Sequence, residues 1–407
     1  MSDKEFDVIV FGATSFVGQI VCEYLHNEYQ DDALRWAAAG RSEAKLRELQ
    51  NRLGATDDTM PLRIADAADG DSLAALCRQT RVMISTVGPY ALYGEPMVKA
   101  CVETGTDYCD LTGETQWIQR MVETYSEQAE TTGARIVHCC GFDSIPSDLG
   151  VLFLQQAAQS EFGAPCTNVK MRVKAMRGGA SGGTIASLIN VIREASKDPA
   201  LRKALANPYA ICPENFRPKT RQHNVKSAEF DSDFNAWVAP FVMAAINTRV
   251  VHRSNALFGG AWGEGFRYDE AVLTGKGLKG RMGALSMAAG IGGLMVGGAI
   301  PPTRWLLERF VLPKPGEGPS KEEQLNGFFD LRFIGRTERN EVVKVKVTGD
   351  RDPGYGSTAK MLTHAALCLG ETSREQRAGG IWTPATAMGE TLIERLSLHA
   401  GLTFERS

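Results

Sequence analysis

Residues 6–18, Phe6-Asp7-Val8-Ile9-Val10-Phe11-Gly12-Ala13-Thr14-Ser15-Phe16-Val17-Gly18, constrain the fold more than any other stretch. An apolar, β-branched run stops at Gly12, and helically spaced apolar residues follow at once: Val17, Ile20, Val21, Tyr24 and Leu25. Strand, glycine turn and helix in that order open a dinucleotide-binding unit. Gly12 permits the tight turn and Gly18 lets the helix lie close on the strand. The helix N-terminus offers free N–H groups and a positive dipole end to a pyrophosphate. Ser15 stands where the fingerprint has its middle glycine, and its hydroxyl can itself donate to phosphate. The alternative is a structural turn that holds no ligand.

The alternation continues. Strands are expected at 34–39, 62–64, 82–86, 107–111 and 135–139, with helices at 43–53, 95–103 and 115–131 between them. Up to about residue 148 this is the pattern of a doubly wound parallel sheet. The residues at the carboxyl ends of the strands are therefore the site candidates. After the second strand, Arg41 takes the place of the acid that would accept from a ribose 2′-OH. It suits a 2′-phosphate, and Ser42 can donate to the same group, so the expected cofactor is NADP (NADPH) in preference to NAD. Ser42 also suits the cap of the helix at 43–53, with Gly54 ending it. Asp66 borders the adenine or is an exposed turn acid. Val87-Gly88-Pro89 belongs near the phosphates and the nicotinamide ribose. Tyr90 and Tyr93 either line the nicotinamide pocket or pack there. Thr112 and Glu114 read as residues that open the next helix. Asp143 is a candidate proton donor or a turn residue at the domain junction.

Beyond residue 148 the periodicity changes. Residues 168–176, 266–273, 328–334 and 341–347 alternate with period two and predict a mainly antiparallel sheet. The expected fold is thus an N-terminal Rossmann-type doubly wound parallel sheet with a second α+β domain. The boundaries read as 1–148 for cofactor, 149–350 for substrate and dimerisation, and 351–407 for C-terminal helices that return to the first domain. The Gly/Ser stretch 177–184 reads as a connector or a second backbone-donor loop, and 207–235 as a long surface loop or lid.

Residues 282–303 carry no charge and are long enough to span a bilayer, although six glycines dilute them. Lys276, Lys279 and Arg281 precede them and Arg304 and Arg309 follow; basic flanks on both sides argue against a single crossing. A buried core segment, a membrane-surface segment and a true span are the three readings.

Composition limits the partners. Net charge is −3, which gives no reason to expect nucleic acid. The nine cysteines include no C-x-x-C pair, which points to a reducing compartment without disulfides or structural zinc; no metal is expected. The first strand begins at once, leaving no room for a signal peptide. The expected location is cytoplasmic, or peripheral on the cytoplasmic face of a membrane. None of the nine tyrosines has a lysine four residues later, which removes short-chain dehydrogenase chemistry.

Several motifs together resemble one family. They are Gly12-Ala13-Thr14, Ala39-Gly40-Arg41-Ser42, Val87-Gly88-Pro89-Tyr90 with Tyr93-Gly94, Tyr108-x-Asp110-x-Thr112-Gly113-Glu114 and Gly141-Phe142-Asp143-Ser144-Ile145-Pro146-Ser147-Asp148. The set resembles the saccharopine dehydrogenase-like oxidoreductases, and within them the branch of trans-acting enoyl reductases. The resemblance extends through Asn247-Thr248-Arg249, Pro313-Lys314-Pro315 and Thr383-Pro384-Ala385. It implies a nicotinamide-dependent reductase acting on a double bond of a lipid or polyketide-type acyl substrate. Tyr90, Tyr93 and Asp143, on loops at the carboxyl edge of the sheet, are the candidate catalytic proton donors, with solvent water as the alternative. A membrane surface and a second copy of the chain stay open as partners. An amino-acid-type C–N oxidoreductase is the rival in the same class, and would cluster Arg172, Arg177, Arg249 and Arg253 around carboxylates. A non-catalytic lipid-surface protein with a vestigial nucleotide fold is the rival outside it.

Overall fold

The computed structural model of the chain describes residues 4–29, 34–179, 182–216, 218–300, 302–305 and 318–407. Among these, two seven-stranded sheets form the framework. The first contains β1 (Phe6–Phe11), β2 (Trp36–Gly40), β3 (Leu62–Ile64), β4 (Thr80–Ser85), β5 (Asp107–Asp110), β6 (Arg135–Val137) and β13 (Gly380–Trp382), in the order β13-β6-β5-β4-β1-β2-β3. Every pairing in it is parallel. Central β1 is buried on both faces, which is why it reads as a continuous apolar run. Helices Phe16–Glu28, Glu43–Leu53 and Thr358–Glu371 cover one face. Helices Gly70–Gln79, Glu95–Thr104 and Thr115–Thr132 cover the other. Helix Glu43–Leu53 has its expected bounds because its ends are chemically marked: Ser42 accepts from the Lys45 N–H, and Gly54 takes φ +68°.

The second sheet contains β7 (Cys166–Arg177), β8 (Glu229–Asp231), β9 (Ala236–Pro240), β10 (Arg267–Gly275), β11 (Phe328–Thr337), β12 (Val342–Gly349) and β14 (Leu402–Arg406), in the order β14-β12-β11-β7-β10-β9-β8. It is mainly antiparallel, with one departure from the expectation: β10 runs parallel to β7. The chain between them is long enough for a crossover with its own helices, which a parallel neighbour requires. Helix Ile145–Phe162 joins the two sheets and packs on β7, β11 and β12. Its Asp148 is buried, accepting from Ser254 Oγ at 2.5 Å and from the Ala385 N–H at 2.8 Å, and burial pushes its carboxyl up to about 7.

The expected loop runs over residues 207–216 and 218–228 without helix or strand. Tyr209, Ala210, Ile211 and Cys212 are buried, Tyr209 Oη donates to the Thr220 carbonyl at 2.8 Å, and Gln222 Nε2 donates to the Phe266 carbonyl at 2.9 Å. Apolar side chains inside a polar-looking stretch anchor it to the body. The segment 282–303 is not a core segment. It lies in the helix Gly277–Ala299, of which only Gly280, Ala284 and Gly298 are buried, while Leu278 is 72%, Met282 58% and Val296 62% exposed. By length and composition this helix is capable of crossing a membrane, and no other among the described residues is. Positions 180–181 of the Gly/Ser stretch, and 306–317 with Arg309 and the Pro313 motif, lie outside the described residues.

Candidate active site

The turn after β1 is built from hydroxyls as much as from glycines. Gly12 takes φ +85°. A Cβ on Gly18 would overlap the Gly12 carbonyl, so the helix meets the strand backbone to backbone. Ser15 caps the helix Phe16–Glu28, its Oγ accepting from the Gly18 N–H at 2.9 Å. The same Oγ lies 2.9 Å from Thr86 Oγ1, and Thr86 in turn donates to the Gly12 carbonyl at 2.9 Å. The serine proton is therefore directed at Thr86, and Ser15 serves as a strut between β1 and the exit of β4. The first-turn N–H groups of Phe16 and Val17 have no intrahelical acceptor, as at any helix start, and such a start is suited to an anion. Phe16 is held edge-on by Tyr355 at 5.1 Å between centroids, and a Cβ on Gly318 would overlap its ring. Replacing Gly18 by alanine forces that overlap. The expected cost is about 2 kcal/mol, the scale of an overpacked core, checked by thermal melting alongside loss of NADPH binding.

At the end of β2, Arg41 is exposed, and its guanidinium has no hydrogen-bond or ion-pair partner among the described residues. Ser42 spends its acceptor on the Lys45 N–H at 3.4 Å and keeps its proton. Asp66 is exposed and accepts from the Ala68 N–H at 3.0 Å, closing a turn after β3. An unpaired guanidinium beside a free hydroxyl at the ribose end is the donor set that a 2′-phosphate requires. The residues present thus fit NADP.

At the exit of β4, Val87, Gly88 and Pro89 follow Thr86 directly. Val87 lines the Gly12 turn, and Gly88 lies beside Tyr90 and Ser187. The two tyrosines separate here. Tyr90 is buried, donates to the Ser85 carbonyl at 2.9 Å and rests on Trp117, so burial pushes its hydroxyl well above the ordinary phenol range. Tyr93 is 50% exposed. Glu114 opens the helix Thr115–Thr132 as expected, and its side chain has a further task. Its carboxylate accepts from the N–H groups of Tyr90 at 2.7 Å and Ala91 at 2.9 Å, and from Ser187 Oγ at 3.1 Å. Asp110 joins the exits of β5 and β6, accepting from Thr112 N–H at 3.1 Å and Cys139 N–H at 3.2 Å, with His138 Nδ1 at 2.7 Å.

Asp143 sits half-buried after β6, with Oδ2 3.6 Å from where a Cβ on Gly113 would lie. Loss of solvent and the nearby Glu270 charge push its carboxyl up to about 7. Glu270 reaches this junction from β10 of the second sheet. It is buried, accepts from Tyr268 Oη at 2.7 Å and Asn247 Nδ2 at 2.9 Å, and is itself pushed up to about 7 by burial. Sequence reading named Glu114 only as a helix opener and missed Ser187 and Glu270. For Glu270 a signal existed: in an alternating strand it shares a face with Tyr268 and Val272, which makes it an acid on an apolar face.

A separate cleft of about 880 Å³, counting open solvent in its mouth, lies between Leu152, Phe258, Arg377 and Met388. None of the sequence-derived site residues lines it. All nine cysteines are free and buried. Among the described residues no group of three or more His, Cys, Asp or Glu side chains is placed to hold a metal ion.

The family model for the saccharopine dehydrogenase NADP binding domain matches residues 8–137. A Mycobacterium tuberculosis protein, provisionally named a trans-acting enoyl reductase, is 38% identical over 403 residues, covering 97% of this chain and 96% of its own. The trans-acting enoyl reductase of Mycobacterium bovis is 36% identical over 419 residues with the same coverage. Saccharopine dehydrogenase (L-Glu forming) from Saccharomyces cerevisiae superposes with a TM-score of 0.54 at 12% identity over 99% of this chain and 100% of that chain, a likeness of fold alone. With the glycine turn, the unpaired Arg41 and these full-length relatives together, the chain belongs to the trans-acting enoyl reductase branch of the saccharopine dehydrogenase-like, NADP-dependent oxidoreductases.

Proposed function

We propose that this enzyme reduces the carbon–carbon double bond of a lipid or polyketide-type acyl substrate at the cleft between its two sheets. One observation carries this over the amino-acid alternative: three of the four arginines expected to hold substrate carboxylates are occupied inside the protein. Arg172 is buried between Asp231 at 2.7 Å and Asp269 at 2.6 Å. Arg249 donates to the carbonyls of Ala245 and Leu205, and Arg253 to those of Ile211 and Ile381. A pocket for a zwitterionic amino acid has lost its anchors, whereas an acyl chain needs none.

NADPH, when bound, supplies the hydride. In this reading Gly12, Thr14, Ser15, Phe16, Val17 and Gly18 seat its pyrophosphate, and Arg41 and Ser42 its 2′-phosphate. Asp66 borders the adenine, and Val87, Gly88 and Pro89 border the nicotinamide ribose. Asp143 holds the proton that the reduced carbon takes up, since Tyr90 is committed to Ser85 and Tyr93 lies out in solvent. Residues 1–148 form the cofactor unit, 149–350 the substrate unit and 351–407 the returning helices. The exposed helix Gly277–Ala299, with Lys276, Lys279 and Arg281 at its start and Arg304 beyond its end, seats the enzyme on the cytoplasmic face of a membrane. In-plane seating fits better than crossing: β10 and β11, on either side of the helix, both pair with β7 in one sheet. A homodimer through the same face is the other way of covering it.

Titration calorimetry of NADPH and NADH against the full chain tests the cofactor half. Arg41→Ala is expected to weaken NADPH about 10–100-fold and leave NADH unchanged, as loss of one charge-assisted bond predicts. NADPH oxidation with 2-enoyl thioesters tests the other half. Failure to bind NADPH overturns the reading; binding with turnover only of imino or keto acids restores the amino-acid alternative.

A further inference from the structure

Glu114 is the least explained charge in the cleft. It is 2% exposed, yet no cation among the described residues touches it. An ionised carboxylate in such a place is costly unless donors replace its water. Here three do, and they come from two parts of the chain. The N–H groups of Tyr90 and Ala91 open the short helix that follows Pro89. Ser187 belongs to the helix Gly182–Lys197, which follows β7 of the second sheet. The same hydroxyl borders Gly88, 4.0 Å from where a Cβ there would lie. A second contact supports the approach of this helix: Gln116 Nε2 donates to Glu194 at 3.4 Å. On its far side, Ile189 and Ile192 pack on Gly298 of the exposed helix Gly277–Ala299. Burial lifts the Glu114 carboxyl above the ordinary range, and its three hydrogen bonds oppose that rise.

We propose that Glu114 is a positioning residue for the reduction: it fixes the loop 88–93 at the nicotinamide end of the cleft and, through Ser187, ties that loop to the helix that carries the exposed apolar arm. The proposal rests on the reductase reading above for its catalytic meaning. Its physical content, a tie between one loop and one helix, stands apart from that reading. A neutral amide at 114 cannot accept from both backbone donors and Ser187, because one of its ends is itself a donor. Ser187→Ala breaks only the link across the cleft, and Ser187→Thr keeps the hydroxyl.

The experiment is hydrogen–deuterium exchange on the full chain without cofactor, read peptide by peptide, together with steady-state kinetics on an enoyl thioester. Glu114→Gln is expected to speed exchange in 88–93 about tenfold, the loss of one charge-assisted bond, with the rest of the first sheet unchanged. The kcat is expected to fall by a similar factor while KM for NADPH moves less than about twofold, the pattern of a lost transition-state interaction. Ser187→Ala speeds exchange in both 88–93 and 182–197, and Ser187→Thr restores both. Unchanged exchange in the loop overturns the tie. Exchange raised across the whole sheet, a lowered melting point and full kcat per folded molecule overturn positioning in favour of a merely structural carboxylate. If the unaltered enzyme neither binds nor oxidises NADPH, the reductase reading fails, and positioning for reduction fails with it. The exchange data still report whether the loop and helix are tied.

Discussion

Replacing Leu278, Met282 and Val296 together by glutamate is expected to cut binding to anionic phospholipid vesicles about a thousandfold or more. Each apolar side chain withdrawn from the lipid interface forfeits roughly 1.5–3 kcal/mol, and three together exceed the 4.1 kcal/mol of three decades. These side chains are 72%, 58% and 62% exposed, so the substitutions leave the core untouched and the variant folds. Co-sedimentation with vesicles measures the effect. Neutralising Lys276, Lys279 and Arg281 instead is expected to weaken binding by about 1 kcal/mol per charge and to flatten its salt dependence. The alternative cover for this face is a second copy of the chain. An enzyme that ignores vesicles but has twice its monomer mass in solution, and returns to monomer in the triple variant, is a homodimer and not a membrane-seated protein.

The second large effect concerns the proton. Asp143→Asn is expected to lower kcat for double-bond reduction about a hundredfold, the lower range for removal of a general acid, with NADPH affinity unchanged. The sign of the pH dependence follows from the raised carboxyl. An acid with a pKa of about 7 is protonated below that pH and ready to donate, so kcat/KM falls as pH rises through about 7. In Asp143→Asn that limb disappears. In Glu270→Gln the neighbouring negative charge is gone, the Asp143 carboxyl titrates lower, and the limb moves toward acid. An Asp143→Asn enzyme that keeps both its rate and its alkaline limb shows that solvent water delivers the proton and that the two acids are only structural.

The first sheet was legible because its elements are marked chemically. Ser42 and Gly54 bracket a helix, and the apolar run of β1 ends on a glycine that needs a positive φ. The second sheet was legible in its alternation but not in its topology. Period two places residues on faces and is silent on direction, so the parallel pairing of β10 with β7 had no signal. β13, three residues long, is too short to show any period. The helix Gly277–Ala299 was visible in length and composition, but exposure depends on what the rest of the surface offers, and here it offers little. At the site, the cofactor end was read from local motifs. The acid end was not, because Glu114 is held by residues from two separate segments, 90–91 and 187, and Glu270 comes near Asp143 only after both sheets are assembled.

The last 28 residues carry a consequence for how this protein is made. β13 adds to β6 in the first sheet, and β14 adds to β12 in the second. Arg135, at the start of β6, donates to the carbonyls of Leu369 and Thr372, both at 2.7 Å, beside its buried pairing with Asp107. Although the dinucleotide fold is spelled out in the first third of the chain, it cannot be finished as that third leaves the ribosome. Until residue 382 emerges, β6 is an open edge, and the sheet lacks the Thr358–Glu371 layer over β1, β4 and β5. At synthesis rates of about 5–20 residues per second, that interval lasts on the order of ten seconds or more. During it β6 presents an unpaired strand edge to neighbouring chains.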